Sequence, residues 1–401
     1  MSILVIVISL ILIGVIAYII GKGVERIKLP SLLGMMIFGM FIGPYFYNII
    51  PEETLNLSPM IKDVTLVTVL FIAGLGISSD EMKAIGRPAV LLSVIPATLE
   101  GFTIAILSTI FLGFDFIQGA ILGFIIAAVS PAVLIPSMLD LIDKNFGRDK
   151  SIPQMLLVGA SADDTVAITL FSTFLSIYLG GTNGAQVSLG KEIILIPISI
   201  VISIGVAYLI SRLTKPIVSN TKDIRIKALL VFLVCLGLRS IEVSINLEIF
   251  NSLLSIMIYG FFLRNTLEKD ALLIKKTMDK VWGGGKVFLF TFVGTAINPN
   301  LVGEYFLVGL LILTCSLFIR SIGVLISLLG TNLNAKERLF CIIAYLPKAT
   351  VQSAKAGIPL QMGVVHGEVM QAIAILSVLI TAPIGAIGIK VAAPKCLNES
   401  Y

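Results

Sequence analysis

The chain has 401 residues, of which 57% are hydrophobic and only 13% charged, with a formal net charge of +5. Charged content is about half that of a soluble domain, and the mean hydropathy is +1.03, more apolar side chain than a soluble fold can bury. The basic balance does not point to nucleic acid, because the lysines and arginines sit in short loops between apolar runs, as membrane topology requires.

With about 17–25 residues per membrane span, the sequence predicts about 13 helices. They fall near 2–21, 29–46, 62–78, 86–112, 115–141, 153–180, 190–214, 225–242, 246–264, 282–299, 303–330, 336–360 and 365–392. The first run, Ser2 to Ile20, has no basic segment before it and no small-residue cleavage site after it, so it reads as a span and not as a signal peptide. The longest loop, 264–281, reads as a charged interfacial linker or a short helix. Trp282-Gly283-Gly284-Gly285-Lys286 lacks a preceding strand and phosphate-loop spacing, and reads as a flexible linker or a helix start. Cys235, Cys315, Cys341 and Cys396 are scattered without metal-ligand spacing, so no disulfide and no resident metal site is expected. His366, the single histidine, reads as a polar residue near the outer end of the last span.

One alternate set of loops holds about 22 of the 29 basic residues; the opposite set holds Lys62, Lys191, Arg239 and Lys355. By the positive-inside bias the N-terminus is outside and the C-terminus cytoplasmic, which requires an odd number of spans. Thirteen spans allow two inverted six-span repeats around a linker. The fifth span carries Val129-Ser130-Pro131 and Pro136; the twelfth, seven spans later, carries Leu346-Pro347-Lys348. Proline removes a backbone donor and clashes with the preceding turn, so both helices should break near the midplane. Two ordinary proline kinks are the plainer alternative; a paired break in matching halves points to a transporter site.

Ionisable residues inside apolar runs each need a reason, since one costs at least about 2.5–3.5 kcal/mol. Here they are Glu100, Asp163, Asp164, Arg320 and Lys348. Two neighbouring carboxylates in hydrocarbon cannot both stay charged without a counterion, so at least one can take up a proton or a small hard cation in competition. Ser161, Thr165, Ser130 and the carbonyls of the broken fifth span are candidates to complete the shell. Adjacent helical residues point about 100° apart, so one aspartate can face a cavity and the other a neighbouring helix; the helix alone does not decide which. Asp164 is taken as the ion carboxylate and Asp163 as its modulator. The plainer alternative is a pair that only neutralises buried basic groups. Arg320 stays charged and needs an anionic partner, Glu100 or Asp163. Lys348 stands where a broken helix presents carbonyl ends, which it would neutralise; the alternative is snorkelling to an interface. Glu100 is either buried in the cluster or near the end of an overlong span.

These strings resemble the cation:proton antiporter superfamily and, within it, the NHA subfamily of sodium/proton antiporters, over essentially the whole chain. Leu29-Pro30-Ser31-Leu32-Leu33-Gly34 with Gly39, Gly43 and Pro44 is similar to a second-helix signature, and Phe71-Ile72-Ala73-Gly74-Leu75 to the next. Ala128-Val129-Ser130-Pro131-Ala132-Val133 and Leu346-Pro347-Lys348-Ala349-Thr350-Val351-Gln352 resemble its two crossing helices, and Ser161-Ala162-Asp163-Asp164 its ion-site helix. The resemblance implies an all-α polytopic membrane protein of the NhaA-like antiporter fold, with inverted repeats and two broken crossing helices. It implies a dimerisation part, roughly 1–60 and 190–264, and an ion-transport core, roughly 61–180 and 282–392. It implies a homodimer in the cell membrane, not an enzyme, that exchanges Na+ or Li+ for H+ without a cofactor. Many electroneutral relatives have Asn-Asp where this chain has Asp163-Asp164, and many electrogenic ones have lysine at Arg320, so the sequence mixes two stoichiometric signatures. Potassium/proton exchange on the same scaffold is the alternative. An intramembrane aspartyl protease also uses two buried aspartates, but draws them from two helices, whereas these are neighbours on one.

Overall fold

The computed structural model describes residues 3–26, 31–183, 189–245, 249–296, 298 and 303–398. Among them every regular element is a helix: α1 (Ile3–Arg26), α2 (Ser31–Ile42), α3 (Glu52–Leu55), α4 (Ser58–Leu75), α5 (Ser79–Phe111), α6 (Phe116–Ala127), α7 (Pro131–Asp143), α8 (Ile152–Asn183), α9 (Leu189–Asn220), α10 (Ile224–Ile245), α11 (Ser252–Thr266), α12 (Glu268–Thr295), α13 (Phe306–Ser327), α14 (Ala335–Ala344), α15 (Thr350–Lys355), α16 (Ile358–Gln361) and α17 (Gly367–Cys396). Each predicted span meets one of these helices or a broken pair. Nine stretches among the described residues are long and apolar enough to cross a membrane by themselves. The others are too short, as α2 and α11, interrupted, as α14–α15, or charged over their first half, as α12. Leu29 and Pro30 of the second-helix signature lie outside the described residues.

The chain divides into two compact units. The first comprises 1–80 and 199–297, the second 81–198 and 298–401. In the first, helices approach through glycine. A β-carbon at Gly39 of α2 would stand 1.9 Å from the Thr291 carbonyl oxygen of α12, and one at Gly294 of α12 would stand 2.0 Å from that of Met36. Gly74 of α4 meets the Met257 carbonyl of α11 in the same way, at 1.9 Å. Without a hydrophobic drive between helices in lipid, such small-residue contacts let backbones pack closely. They bind α4 and the end of α12 into the first unit, whereas the sequence grouping placed 61–80 and 282–297 with the ion-transport core. A glycine names a close approach but not the helix that makes it.

The segment 264–281, expected as a charged interfacial linker or a short helix, is helical from Glu268 and is part of a long helix. α12 starts at Glu268 and runs unbroken through Trp282-Gly283-Gly284-Gly285-Lys286 to Thr295. Glu268 and Asp270 stand in its first turn, where acidic groups complement the helix dipole. His366 is exposed, has a left-handed backbone (φ 63°) and precedes α17; its ring stacks on Phe114 at 5.0 Å.

In the second unit, α6 and α14 both open with a capping box: Asp115 with Gln118, and Asn334 with Glu337. In each, the cap side chain accepts the N3 amide and the N3 side chain accepts the cap amide, satisfying two otherwise orphaned donors. Both helices then stop short. α6 ends at Ala127 and α7 resumes at Pro131; α14 ends at Ala344 and α15 resumes at Thr350. Proline at the start of α7 is tolerated because that amide would be unpaired anyway. The two extended breaks touch, the Ser130 amide donating to the Pro347 carbonyl at 2.8 Å.

Candidate functional site

Five ionisable side chains converge around these breaks, all in the second unit. Glu100 comes from α5, Asp163 and Asp164 from α8, Arg320 from α13, and Lys348 from the break before α15. Glu100, Asp163 and Lys348 are fully buried and Arg320 is 1% exposed, so Lys348 does not snorkel and Glu100 is no interfacial carboxylate. Glu100 Oε2 accepts from Arg320 Nη1 and from Lys348 Nζ, each at 2.6 Å. Arg320 Nη2 lies 3.4 Å from Asp163 Oδ2, and that oxygen also accepts the Val129 amide at 2.7 Å. Both partners expected for Arg320 are thus present, with Glu100 the nearer. Taking two such charges out of water costs several kcal/mol each, repaid only by good geometry and further hydrogen bonds.

Those further bonds come from the ends of the broken helices. The last four carbonyls of a helix have no partner within it. At the end of α6, Ala127 accepts from Arg320 Nη1 at 2.5 Å and from Lys348 Nζ at 3.2 Å. The Gln352 side-chain amide donates to the carbonyls of Ile125, Ile126 and Ala128 at 3.2, 3.0 and 2.9 Å. At the end of α14, the Tyr345 carbonyl accepts from Arg320 Nε at 2.7 Å. The four carbonyls of residues 125–128 in the broken fifth span, offered by the sequence to the ion's shell, thus each accept at least one bond from a protein donor.

What remains unpaired is side-chain oxygen. Asp164 Oδ1, Asp163 Oδ1, Ser130 Oγ and Thr350 Oγ1 are buried without a hydrogen-bond partner. Ser161, also buried, donates to the Leu157 carbonyl at 2.8 Å. Thr165 lies one turn further along the same face of α8 and is buried. Asp163 is fully buried and tied to Val129 and Arg320, whereas Asp164 is 7% exposed. That difference separates the two neighbours, which the helix alone could not do. Carboxylate and hydroxyl oxygens are hard donors suited to a small hard cation or a proton.

Sequence reasoning passed over Gln352, Tyr345 and Thr381. The Thr381 hydroxyl accepts the Lys348 amide at 2.9 Å. The Tyr345 ring lies 5.4 Å below the Arg320 guanidinium, and a β-carbon at Gly159, one turn before Asp163, would stand 2.4 Å from its hydroxyl. A glutamine in an apolar run just past the break expected at Pro347-Lys348 was the available signal, since a polar amide at membrane depth must find partners.

A helical membrane protein with two broken helices meeting at a buried cluster of ionisable groups has the build of a secondary transporter. The chain belongs to the sodium/hydrogen exchanger family, whose transmembrane model matches residues 2–394, and the resemblance drawn from its motifs is borne out. Sodium/hydrogen exchanger 9B2 of Homo sapiens is 30% identical over 401 residues, covering 94% of this chain and 73% of its own. Sodium/hydrogen exchanger 9B1 of Mus musculus is 29% identical over 403 residues, covering 96% and 70%. The fold is also that of the sodium proton antiporter MjNhaP1 from Methanocaldococcus jannaschii at pH 8, with a TM-score of 0.78 at 21% identity over 99% of both chains. A second structure of that antiporter, from electron microscopy, gives 0.81 over the full length of both.

Proposed function

We propose that this chain exchanges sodium, or lithium, for protons by alternating access, with Asp164 as the carboxylate for which the two ions compete. The observation that carries this reading is the charge balance of the buried cluster. Three carboxylates, Glu100, Asp163 and Asp164, face two cations, Arg320 and Lys348. Both cations bond Glu100, and Arg320 also reaches Asp163. Asp164 is the carboxylate left over, and a proton or a metal cation supplies the missing charge. The family's sodium/hydrogen exchange and the shared fold support the same assignment.

Asp163 acts as the modulator of that site, and Ser130, Ser161 and Thr165 are the candidates to complete the ion's shell. Arg320 and Lys348 stay on Glu100 through the cycle, so one proton is exchanged per sodium and transport is electroneutral. The first compact unit serves as the dimerisation part of a homodimer and the second as the moving transport core. The protein lies in the cell membrane with its N-terminus outside and its C-terminus in the cytoplasm, the side favoured by the basic loops. The test is purified protein in liposomes containing a pH dye, challenged in turn with sodium, lithium and potassium. Proton movement driven by sodium or lithium supports the reading. A response to potassium alone would replace it with potassium/proton exchange, and single-channel currents would replace it with a pore.

A further inference from the structure

Among the described residues Gln352 is an uncharged side chain that bridges both helix breaks. Its two N–H groups are shared among the Ile125, Ile126 and Ala128 carbonyls, and its oxygen accepts the Ala349 amide at 2.9 Å. The orientation is fixed from both ends, because a flipped amide would set its oxygen against three carbonyls and its nitrogen against an N–H. The side chain is fully buried. Together with Arg320 and Lys348 on Ala127, it leaves the carbonyls of residues 125–128 each bonded to a protein donor.

The contrast with the oxygens left unpaired carries the argument. Gln352 spends its N–H groups on backbone carbonyls, while Asp163 Oδ1, Asp164 Oδ1, Glu100 Oε1, Ser130 Oγ and Thr350 Oγ1 are left without partners. A larger alkali cation takes more oxygens and is commonly held by backbone carbonyls, whereas a small one is satisfied by a few hard oxygens at short range. We infer that Gln352 determines cation specificity as a positioning residue: by holding the α6 carbonyls it keeps them out of the ion's shell and so disfavours potassium. This rests on the cation/proton exchange proposed above and deepens it.

The experiment compares wild type, Gln352→Ala and Gln352→Asn in pH-dye liposomes with sodium, lithium, potassium and rubidium, each over a range of pH. Alanine removes the clamp and frees three carbonyls. Asparagine keeps an amide but is one methylene too short to reach them all. The expected result is a rise of about tenfold in the potassium-to-sodium ratio of kcat/KM for Gln352→Ala, as one redirected hydrogen-bonding group is worth, with a smaller rise for Gln352→Asn. The change should lie mainly in KM, with a shifted pH profile. Thermal stabilisation of the purified protein by sodium against potassium reads the same preference without transport, and serves for a variant that folds but does not turn over. An equal loss for every cation, with the ratio and pH profile unmoved in the folded variants, would overturn the inference while leaving exchange standing. So would failure of both variants to fold, since the clamp would then be structural only. Wild type that moves protons with no alkali cation would overturn both the inference and the proposed function.

Discussion

Arg320→Lys tests whether the guanidinium fixes the stoichiometry. Arginine is not deprotonated in proteins, while a buried lysine can release its proton. Arg320 donates to Tyr345, Glu100 and Ala127 at 2.7, 2.6 and 2.5 Å and lies 3.4 Å from Asp163. A lysine has one nitrogen for this work. It can keep Glu100 and Ala127, but forfeits the Nε bond to Tyr345 and the reach to Asp163. At about 1.5–3 kcal/mol per charge-assisted bond, with the 3.4 Å contact weak, the loss of stability is about 2–4 kcal/mol. The functional consequence is larger. If the new ammonium gives up its proton when sodium arrives, two protons move per sodium and each cycle carries one net charge. A potential of about 100 mV is then worth about 2.3 kcal/mol, or about fifty-fold in the sodium ratio at balance. The assay is exchange in liposomes with the potential clamped by potassium and valinomycin. Wild type should reach the same sodium ratio at every potential, and Arg320→Lys should shift with it. A steep dependence in wild type would refute the lock on Glu100 and point to Asp163 or Lys348 as a second proton carrier. A variant as insensitive as wild type would show that the guanidinium is not what sets the count.

Asp164→Asn should abolish sodium-driven proton flux while the protein remains folded in the membrane; flux at the wild-type rate would remove the central assignment. Asp163→Asn should be milder in rate and should move the pH profile, because its oxygen can still accept the Val129 amide while the charge beside Asp164 is gone; a pH–rate curve superimposable on wild type would contradict its role as modulator. Gly74→Val should cost at least about 1–3 kcal/mol, as overpacking does, because even a β-carbon there would stand 1.9 Å from the Met257 carbonyl; thermal melting of the purified variant is the measurement. A cysteine at Glu53, which is exposed, should react with an impermeant external thiol reagent, and one at Asp149, also exposed, should not; the reverse pattern would invert the orientation.

Much of the architecture was legible because bilayer physics writes on the sequence directly. Span length, apolar content and the placement of Lys and Arg act through the solvent and need no knowledge of neighbours. So the helices, the two breaks at Ser130-Pro131 and Pro347-Lys348, and the five buried charges were readable along the chain. Proline breaks a helix wherever it stands, and a charge at membrane depth is costly whatever surrounds it. The charged stretch before Trp282 was left between linker and short helix for the same reason: local polarity resembles a loop, yet α12 runs through it, anchored in the first unit by Gly294 against Met36 and by the bond of Lys227 to Asp270 at 2.6 Å.

What the tertiary structure alone decided was pairing. The sequence left Arg320 between Glu100 and Asp163, left the two aspartates indistinguishable, and offered the carbonyls of the broken helix to the ion. The fold brings residues 220 positions apart to 2.6 Å, ties Asp163 to Val129, and gives the α6 carbonyls to Gln352, Arg320 and Lys348. A hydrogen bond depends on distance and direction in space, and those are set by how helices distant in sequence pack, not by the residues on either side of the donor.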